Sequence, residues 1–289
     1  MNYRSRRLGS RERLIHYIQP KPSREQEDDG LMNSTQGSIG ILGSLLATSV
    51  GVGSIFVSAS QVEKTLYKFC KKLFIHTGVA QFPYQFFGSA TALKIGNRHL
   101  LFCNGHQIDQ FDPESVSFLH AISNHTISAS RKIWPNITEE NKDTDWIDTR
   151  AFEYPVEKYD IPNLSSDFFS IRRGENVWPI NFHKTFFIFG YPTERQRVDY
   201  EIPHVHGSAA YVHGEYAGPS NSPHVHRIKM KRNEVFDADG MSGGPVFYLG
   251  TTGIGEYFAG FAGMIVRGGA KSDFLHFIDA EFILKMFDA

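Results

Sequence analysis

The stretch Gly240-Met241-Ser242-Gly243-Gly244-Pro245-Val246-Phe247 is the most informative part of this sequence. It places one serine between closely spaced glycines and ahead of a short apolar run. A serine hydroxyl is a weak nucleophile at neutral pH, so it needs a base for its proton and donors for the oxyanion that forms. The glycine two positions before Ser242 lets the backbone turn an N–H towards such an oxyanion, and the glycines after it allow close approach of a substrate. The alternative is a glycine-rich turn that contains a serine by chance.

The motif resembles the nucleophile motif of trypsin-like serine peptidases, and especially that of their bacterial branch. This resemblance implies a general-base histidine upstream, after a strand of small residues, a turn and an apolar strand. Residues 88–95 (GSATALKI), a Gly-Asn turn and residues 98–106 (RHLLFCNGH) have this form, which makes His106 the expected base. Asn104 and Gly105 correspond to the small residues that the family places before its histidine.

The acid that completes a Ser-His-Asp triad is expected between the histidine and the serine, at the start of an apolar strand. Asp148, which precedes the run TRAFEY, fits this position best, and Asp145 and Asp143 are the alternatives. Arg150 departs from the family, which has a small apolar residue two positions after the acid. The acid would fix the imidazole tautomer of His106. The order His, Asp, Ser matches trypsin-like peptidases and differs from that of subtilisins and α/β-hydrolases.

Two segments resemble parts of the family's second barrel. Residues 186–192 (FFIFGYP) resemble an early strand with its Gly-Tyr-Pro turn, and residues 262–269 (AGMIVRGG) resemble the strand that lines the primary specificity pocket. The resemblance covers about residues 84–288. It implies that the extended substrate pairs with the backbone of Val266, Arg267 and Gly268.

The same resemblance implies that the N–H groups of Gly240 and Ser242 hold the oxyanion. Met241 stands where animal trypsins have the aspartate that pairs with a newly cut N-terminus, so we expect no activation of that kind. Phe236 falls near the base of the specificity pocket, which argues against a preference for Lys or Arg. Arg267 could favour an acidic residue, unless its side chain points to solvent.

Many short apolar runs separated by Gly, Pro, Asn or Asp predict an all-β fold. With the resemblance, they predict two antiparallel six-stranded barrels, the first over about residues 84–180 and the second over about 184–270, with the site in the cleft between them. Apolar residues at helical spacing predict a closing helix over about 275–288. The predicted strands are 86–95, 98–103, 147–153, 166–172, 184–189, 198–202, 224–230, 245–249 and 257–267.

The part of the chain before the first barrel has three different compositions. Residues 1–34 are polar and charged and predict a mobile tail. Residues 35–62 contain no charged residue and are rich in Gly and Ser. They predict either a segment packed on the domain or a membrane segment through about residues 35–60. Residues 63–76 have apolar residues at helical spacing, which predicts a short amphipathic helix whose solvated face holds Lys71 and Lys72. A peptidase domain is therefore expected over residues 63–289.

Composition limits the class of protein. The chain has 289 residues and a formal net charge of −1, which gives no reason to expect a nucleic-acid partner. Its two cysteines, Cys70 and Cys103, are too few for a disulfide-stapled secreted domain and are expected to be reduced. No secretory signal is recognised at the start, so we expect a cytoplasmic protein, with membrane association as the alternative.

Paired histidines raise the question of a metal, because an alternating strand places two imidazoles on one face. No acid or cysteine is obviously paired with them, and we expect neither a metal nor a cofactor. The expected partner is a protein or peptide substrate. Two other functions stay open: a catalytically silent protease-like scaffold, and a membrane-tethered effector regulated by its protease domain. The histidines concerned are His204, His206, His213, His224 and His226.

Overall fold

The computed structural model describes most of the chain after residue 47. The described residues are 48–120, 123, 125–135, 145–172, 174–177, 185–199, 204–231, 237–252, 254–268 and 272–287.

The described chain is built almost entirely of β-strands. In chain order these are β1 (Ser49–Val52), β2 (Ile55–Ser58), β3 (Cys70–His76), β4 (Tyr84–Ile95), β5 (Arg98–Asn104), β6 (Val116–Leu119), β7 (Thr126–Ser128), β8 (Arg131–Ile133), β9 (Thr149–Glu153), β10 (Phe169–Ile171), β11 (Thr185–Gly190), β12 (Gln196–Asp199), β13 (His204–Gly207), β14 (Ala210–Pro219), β15 (Val225–Lys231), β16 (Pro245–Thr251), β17 (Tyr257–Gly268) and β18 (Phe274–Asp279). The two α-helices are α1 (Val62–Tyr67) and α2 (Ala280–Met286). Short 3₁₀ turns cover Gly105–Gln107 and Asp145–Asp148.

The C-terminal half forms a closed barrel. Strands β16, β11, β14, β15, β18 and β17 are neighbours in that order, and β16 also pairs with β17, so that these six strands close on themselves. Along each strand, side chains point alternately into and out of the barrel, and those that point inward are mostly apolar. Fully buried examples are Phe186, Ile188, Val246, Tyr248 and Phe277.

The N-terminal half forms a second, curled sheet in the order β7-β6-β3-β4-β5-β9-β8. Its two edge strands are consecutive in the chain, because only Ala129 and Ser130 separate β7 from β8. Ala129 N–H donates to Val116 O on β6, and Ser130 N–H donates to Glu153 O on β9, so this stretch joins the two ends of the sheet. The pairings are antiparallel except for β1 with β17 and β10 with β4. The predicted all-β barrel fold with a short C-terminal helix is confirmed.

The uncharged N-terminal segment enters the described chain at Thr48. There β1 and β2 form a hairpin. β1 pairs in parallel with β17, so the hairpin extends the sheet of the C-terminal barrel. Residues 35–47 lie outside the described residues. Neither α-helix of the described chain combines the length and the apolar character needed to cross a bilayer. Membrane association through residues 35–60 stays a prediction.

The helix predicted over residues 63–76 is wrong beyond Tyr67. The chain from Cys70 to His76 is β3, and all seven of its residues pair with β4. Leu73, Phe74 and Ile75 are all buried, so both faces of this strand are covered there. Apolar residues in a short run can match both the spacing of a helix and the two-residue repeat of a strand. Here the pairing with β4 determines that the segment is a strand.

The predicted solvent exposure of the two lysines on this segment is also wrong. Lys71 is buried, and its Nζ donates to Asp167 Oδ2 at 2.8 Å. Lys72 Nζ donates to Gly207 O at 3.0 Å. A charge removed from water needs such a partner, and Asp167 supplies it.

The closing helix predicted over about residues 275–288 begins later, at Ala280. The first part of that range belongs to β18, which pairs with both β15 and β17. The side chain of Asp279 caps α2 by accepting a hydrogen bond from Phe282 N–H at 2.7 Å. Because β18 pairs with both β15 and β17, the C-terminal barrel needs this last strand to close.

Candidate active site

The loop that carries Ser242 is fixed directly to the first sheet. Ser89 Oγ donates to Gly240 O at 2.6 Å, and Thr91 Oγ1 donates to Gly243 O at 2.7 Å. Ser89 and Thr91 are both fully buried on β4. Since buried hydroxyls are costly unless they are hydrogen-bonded, these two bonds fix how the two halves of the protein meet at the serine.

Two glycines of this loop are required by space as well as by conformation. Gly243 has φ +89°, and a Cβ placed on it would lie 2.1 Å from Ser89 O. Gly240 has φ +86°, and its Cβ would lie 2.6 Å from both Thr193 Oγ1 and Tyr191 O. The glycines that the sequence motif emphasises are therefore the points where the loop touches β4 and the turn after β11.

The Ser242 loop and the His106 turn converge on one carbonyl. Val266 O accepts a hydrogen bond from Asn104 Nδ2 at 3.0 Å and from Ser242 Oγ at 3.3 Å. The register of β17 with β18 shifts between Ile265 and Arg267, so Val266 lies at a bulge in the ladder. A bulge turns a carbonyl away from regular pairing, which leaves it available to other donors. Asn104 directly precedes the 3₁₀ turn of His106, so this carbonyl links the Ser242 loop to the end of β5 just before His106. Among the described residues the Ser242 hydroxyl donates to Val266 O, and no hydrogen bond joins it to the His106 ring.

His106 is held by Asp148 through two atoms. The backbone N–H of His106 donates to Asp148 Oδ1 at 2.7 Å, and the ring Nδ1 makes a short hydrogen bond with Asp148 Oδ2. Asp148 ends the 3₁₀ turn that leads into β9, and β9 pairs with β5, so the two turns lie at the same end of adjacent strands.

The charges around His106 favour its protonated form. The side-chain hydrogen bond to Asp148 raises the pKa of His106 above its ordinary value, and partial burial of the ring opposes this effect. The negative charges of Asp148, Asp109 and Asp239 raise this pKa further. An imidazole in this setting binds a proton more readily than a free one.

The structure separates the candidate acids. Asp145 Oδ2 lies 3.1 Å from Arg267 Nη2, and the Asp145 N–H faces Ser222 Oγ at 3.4 Å. Its carboxylate thus pairs with the predicted substrate strand, whereas that of Asp148 contacts His106. Asp143 lies outside the described residues.

Two backbone N–H groups in the Ser242 loop, those of Gly240 and Ser242, point in fixed directions and have no protein acceptor among the described residues. Asp239 O accepts from Thr193 N–H at 2.8 Å, and Met241 O accepts from Gly244 N–H at 2.9 Å. In a trans peptide the N–H points opposite to the carbonyl, so these bonds fix the directions of the N–H groups of Gly240 and Ser242. Within the described residues neither N–H donates to a protein acceptor. Met241 itself is fully buried.

The predicted substrate strand is the end of β17. Val266 is buried, while Arg267 and Gly268 are more accessible. The side chain of Arg267 pairs with Asp145, and its Nη2 lies 3.4 Å from Ser220 Oγ. Phe236, which was expected near the base of the specificity pocket, lies outside the described residues.

The paired histidines are not independent surface groups. His224 Nδ1 lies 3.4 Å and His226 Nε2 lies 3.7 Å from Asp279 Oδ2, so an acid does accompany this pair, contrary to the sequence-based expectation. His226 is buried, and its Nδ1 lies 3.0 Å from Tyr216 Oη. In the described part of the chain no group of three metal-ligating side chains is arranged to hold an ion. The side chains of His204 and His206 are not described.

The residues that hold this site together belong to no motif in the sequence. Ser89, Thr91 and Asn104 are polar residues among apolar and small neighbours, and this contrast is the sequence signal that points to buried, hydrogen-bonded side chains. Arg150 was noted only as a departure from the family pattern. It lies buried against the His106 turn, where it pairs with Asp109.

The protein thus combines a closed six-stranded barrel with a curled sheet, and it carries a serine, a histidine and an aspartate on loops where the two meet. No protein-family model and no curated protein matches the chain. Among solved structures it is similar to the crystal structure of the protease Anisep from Arthrobacter nicotinovorans, with a TM-score of 0.45 and 15% sequence identity, over 73% of this chain and 90% of that one. A likeness at this level carries no argument about activity, so the function must be argued from the site.

Proposed function

We propose that this protein is a trypsin-like serine endopeptidase in which Ser242 is the nucleophile, His106 the general base and Asp148 the residue that orients the base. The observation that supports this most is the contact of the His106 ring with Asp148, together with the shared Val266 carbonyl that links Ser242 to the His106 turn. A Ser-His-Asp set is recognised by such geometry and by the role of each residue.

The hydrogen bond to Asp148 has a direct consequence for the proton of His106. With Asp148 ionised, Oδ2 can only accept, so the ring proton lies on Nδ1 and the lone pair lies on Nε2. Nε2 is then the atom that takes the proton from Ser242 Oγ as Oγ attacks the substrate carbonyl. The imidazolium that forms is stabilised by the carboxylate, and it later gives the proton to the leaving amine. Water then hydrolyses the acyl-enzyme by the same steps.

The N–H groups of Gly240 and Ser242 would hold the oxyanion of the tetrahedral intermediate. Their peptide planes are already fixed by the bonds from Thr193 and Gly244, so little reorganisation is needed during the reaction. Fixed donors of this kind commonly contribute several kcal/mol to transition-state stabilisation. The reaction requires no metal or cofactor.

An extended peptide would pair with the backbone of Val266, Arg267 and Gly268. Arg267 is unsuited to fixing an acidic substrate residue by charge alone, because Asp145 already neutralises it. The substrate class proposed is therefore a protein or peptide in extended conformation, without a charge preference supplied by Arg267.

Hydrolysis of an unbiased peptide library by the full-length protein tests this function. Wild type should cleave peptides, while Ser242→Ala and His106→Ala should each lose about 10³-fold or more of the activity. Matched controls are Ser166→Ala, which changes an exposed serine, and His125→Ala, which changes a half-buried histidine just before β7. Both controls should retain wild-type activity. Cleavage that survives in Ser242→Ala would contradict the proposal.

A further inference from the structure

Arg150 bonds the turn before the catalytic acid and the turn of the catalytic histidine at the same time. Its Nε and Nη2 donate to Asp109 Oδ1 at 2.8 Å and to Asp109 Oδ2 at 2.6 Å. Its Nη1 donates to Ile147 O at 2.6 Å and to Thr149 O at 2.9 Å. Ile147 and Thr149 are the two neighbours of Asp148 in the chain, so one guanidinium connects both sides of the acid to Asp109.

Asp109 belongs to the His106 turn. Its N–H donates to Gly105 O at 2.8 Å, which closes the turn that contains His106. A Cβ added to Gly105 would lie 2.7 Å from Arg150 Cζ and 2.9 Å from Asp109 Oδ2, so the ion pair packs directly on the backbone beside the histidine. The need for a small residue before His106 therefore has a local cause in this chain, which is the guanidinium of Arg150.

The surroundings keep the Arg150 side chain in one position. Its side chain is only 8% exposed, and Trp134 stacks over the guanidinium with 4.1 Å between Cζ and the ring centroid. Lys132 Nζ donates to Asp109 O at 3.0 Å and lies 5.2 Å from the centroid of the Trp134 ring. A planar guanidinium with two parallel bonds to one carboxylate has a defined geometry, which a lysine cannot reproduce.

We propose that Arg150, together with Asp109, is a positioning unit that sets the placement of His106 relative to Asp148. This inference rests on the proposed function, because the pair matters for activity only if His106 and Asp148 act together. It also explains why an arginine occupies the position where the resembling family has a small apolar residue. Arg150 touches no reacting atom, and its effect passes entirely through the two turns.

The test compares Arg150→Lys with Arg98→Lys. Arg98 lies at the opposite end of β5 and pairs with Glu153, so the same substitution there removes a similar bond away from the His106 turn. Arg150→Lys should lower kcat by about 10- to 100-fold with KM within about twofold, since a displacement of about 1 Å has this effect on a catalytic group. Arg98→Lys should leave both constants within twofold. Equal kcat in Arg150→Lys and wild type would overturn the proposal.

A second variant separates positioning from stability. In the double variant Arg150→Met with Asp109→Leu, apolar side chains replace an ion pair in which Arg150 is buried and Asp109 is one-third exposed, and replacing an ion pair by apolar residues commonly keeps the fold. The double variant should fold with a melting temperature near that of wild type and still show the loss of kcat. A folded double variant with wild-type kcat would refute the positioning role.

A third readout does not depend on hydrolysis. The His106 Nδ1 proton shared with Asp148 should give a low-field proton NMR signal in the wild-type full-length protein and in Arg98→Lys, and this signal should be lost or displaced in Arg150→Lys. An unchanged signal in Arg150→Lys would overturn the inference even if the enzyme were inactive. Absence of peptide hydrolysis by a wild-type protein that shows the signal would instead count against the proposed function.

Discussion

Replacing Asp148 with asparagine tests the orienting role of that residue with almost no change in shape. In the wild type Asp148 Oδ2 accepts from the ring Nδ1 of His106, and Oδ1 accepts from the His106 backbone N–H. An asparagine can retain the second bond, but its NH₂ group donates to Nδ1 instead of accepting from it. The ring proton then moves to Nε2, which removes the lone pair that Ser242 needs.

The expected loss is large for activity and small for stability. A wrong tautomer lowers kcat by about 10⁴-fold, or about 5.5 kcal/mol of transition-state stabilisation at 1.36 kcal/mol for each factor of ten. The side chains of His106 and Asp148 are 57% and 30% exposed, so solvent screening limits the contribution of their ion pair to folding to below about 1 kcal/mol. A melting curve should therefore change little while turnover almost disappears.

The pH dependence of kcat/KM gives a second, independent test of the role of Asp148. The proposed mechanism requires neutral His106, so it predicts that kcat/KM rises with pH as this residue loses its proton. Asp148 raises the pKa of His106, and partial burial of the ring lowers it. Without the carboxylate charge the raising contribution is lost, so the residual activity of Asp148→Asn should rise at lower pH than that of wild type.

The assay compares two variants, Asp148→Asn and Asp145→Asn. It measures their steady-state kinetics across pH and their melting curves. Asp145 pairs with Arg267 and makes no contact with His106, so Asp145→Asn should lose less than tenfold of kcat and keep the wild-type pH limb. A loss below tenfold in Asp148→Asn, or an equal loss in both variants, would refute the reasoning.

Two further predictions concern the fold around the site. Gly243→Ala should lower stability by about 2 to 6 kcal/mol, because φ is +89° and the new Cβ would lie 2.1 Å from the backbone oxygen of Ser89; a denaturation midpoint equal to wild type would contradict this contact. Asp167→Asn should cost about 3 kcal/mol, because it leaves buried Lys71 without its anion. Burial lowers the pKa of Lys71 and Asp167 opposes this effect, so without Asp167 the folded protein binds the Lys71 proton more weakly than the unfolded chain does. Stability of Asp167→Asn should thus rise with pH relative to wild type below the ordinary lysine pKa of 10.5, and a parallel pH course in the two proteins would exclude this explanation.

The strands that could be predicted are those in which apolar and small residues predominate and turn residues mark the ends. β4, β5, β11, β16 and β17 each match their predicted ranges within a few residues. β14 (Ala210–Pro219) was missed because its glycines and polar residues leave no clear alternation, and β3 was mistaken for a helix because its apolar positions fit both periods. In both cases the pairing partner, which is distant in sequence, determines the strand.

The residues of the candidate site likewise fall into those that the sequence predicts and those that it does not. The motif around Ser242 and the order of the three residues allowed His106 and Asp148 to be selected, and the structure places them in contact. The supporting contacts could not be predicted, because Ser89 with Gly240, and Asn104 with Val266, join segments more than a hundred residues apart. Such pairs follow from the assembly of two sheets, which no local pattern in the sequence encodes.

Covalent labelling measures directly whether Ser242 is a nucleophile activated by His106. Full-length protein is treated with a fluorophosphonate, and the adduct is located by mass spectrometry of the digested chain. We expect one adduct, on the peptide that contains Ser242, which is absent from Ser242→Ala, strongly reduced in His106→Ala and unchanged in Ser166→Ala. Folded wild-type protein that takes no label, or takes it on another residue, would show that Ser242 is not such a nucleophile.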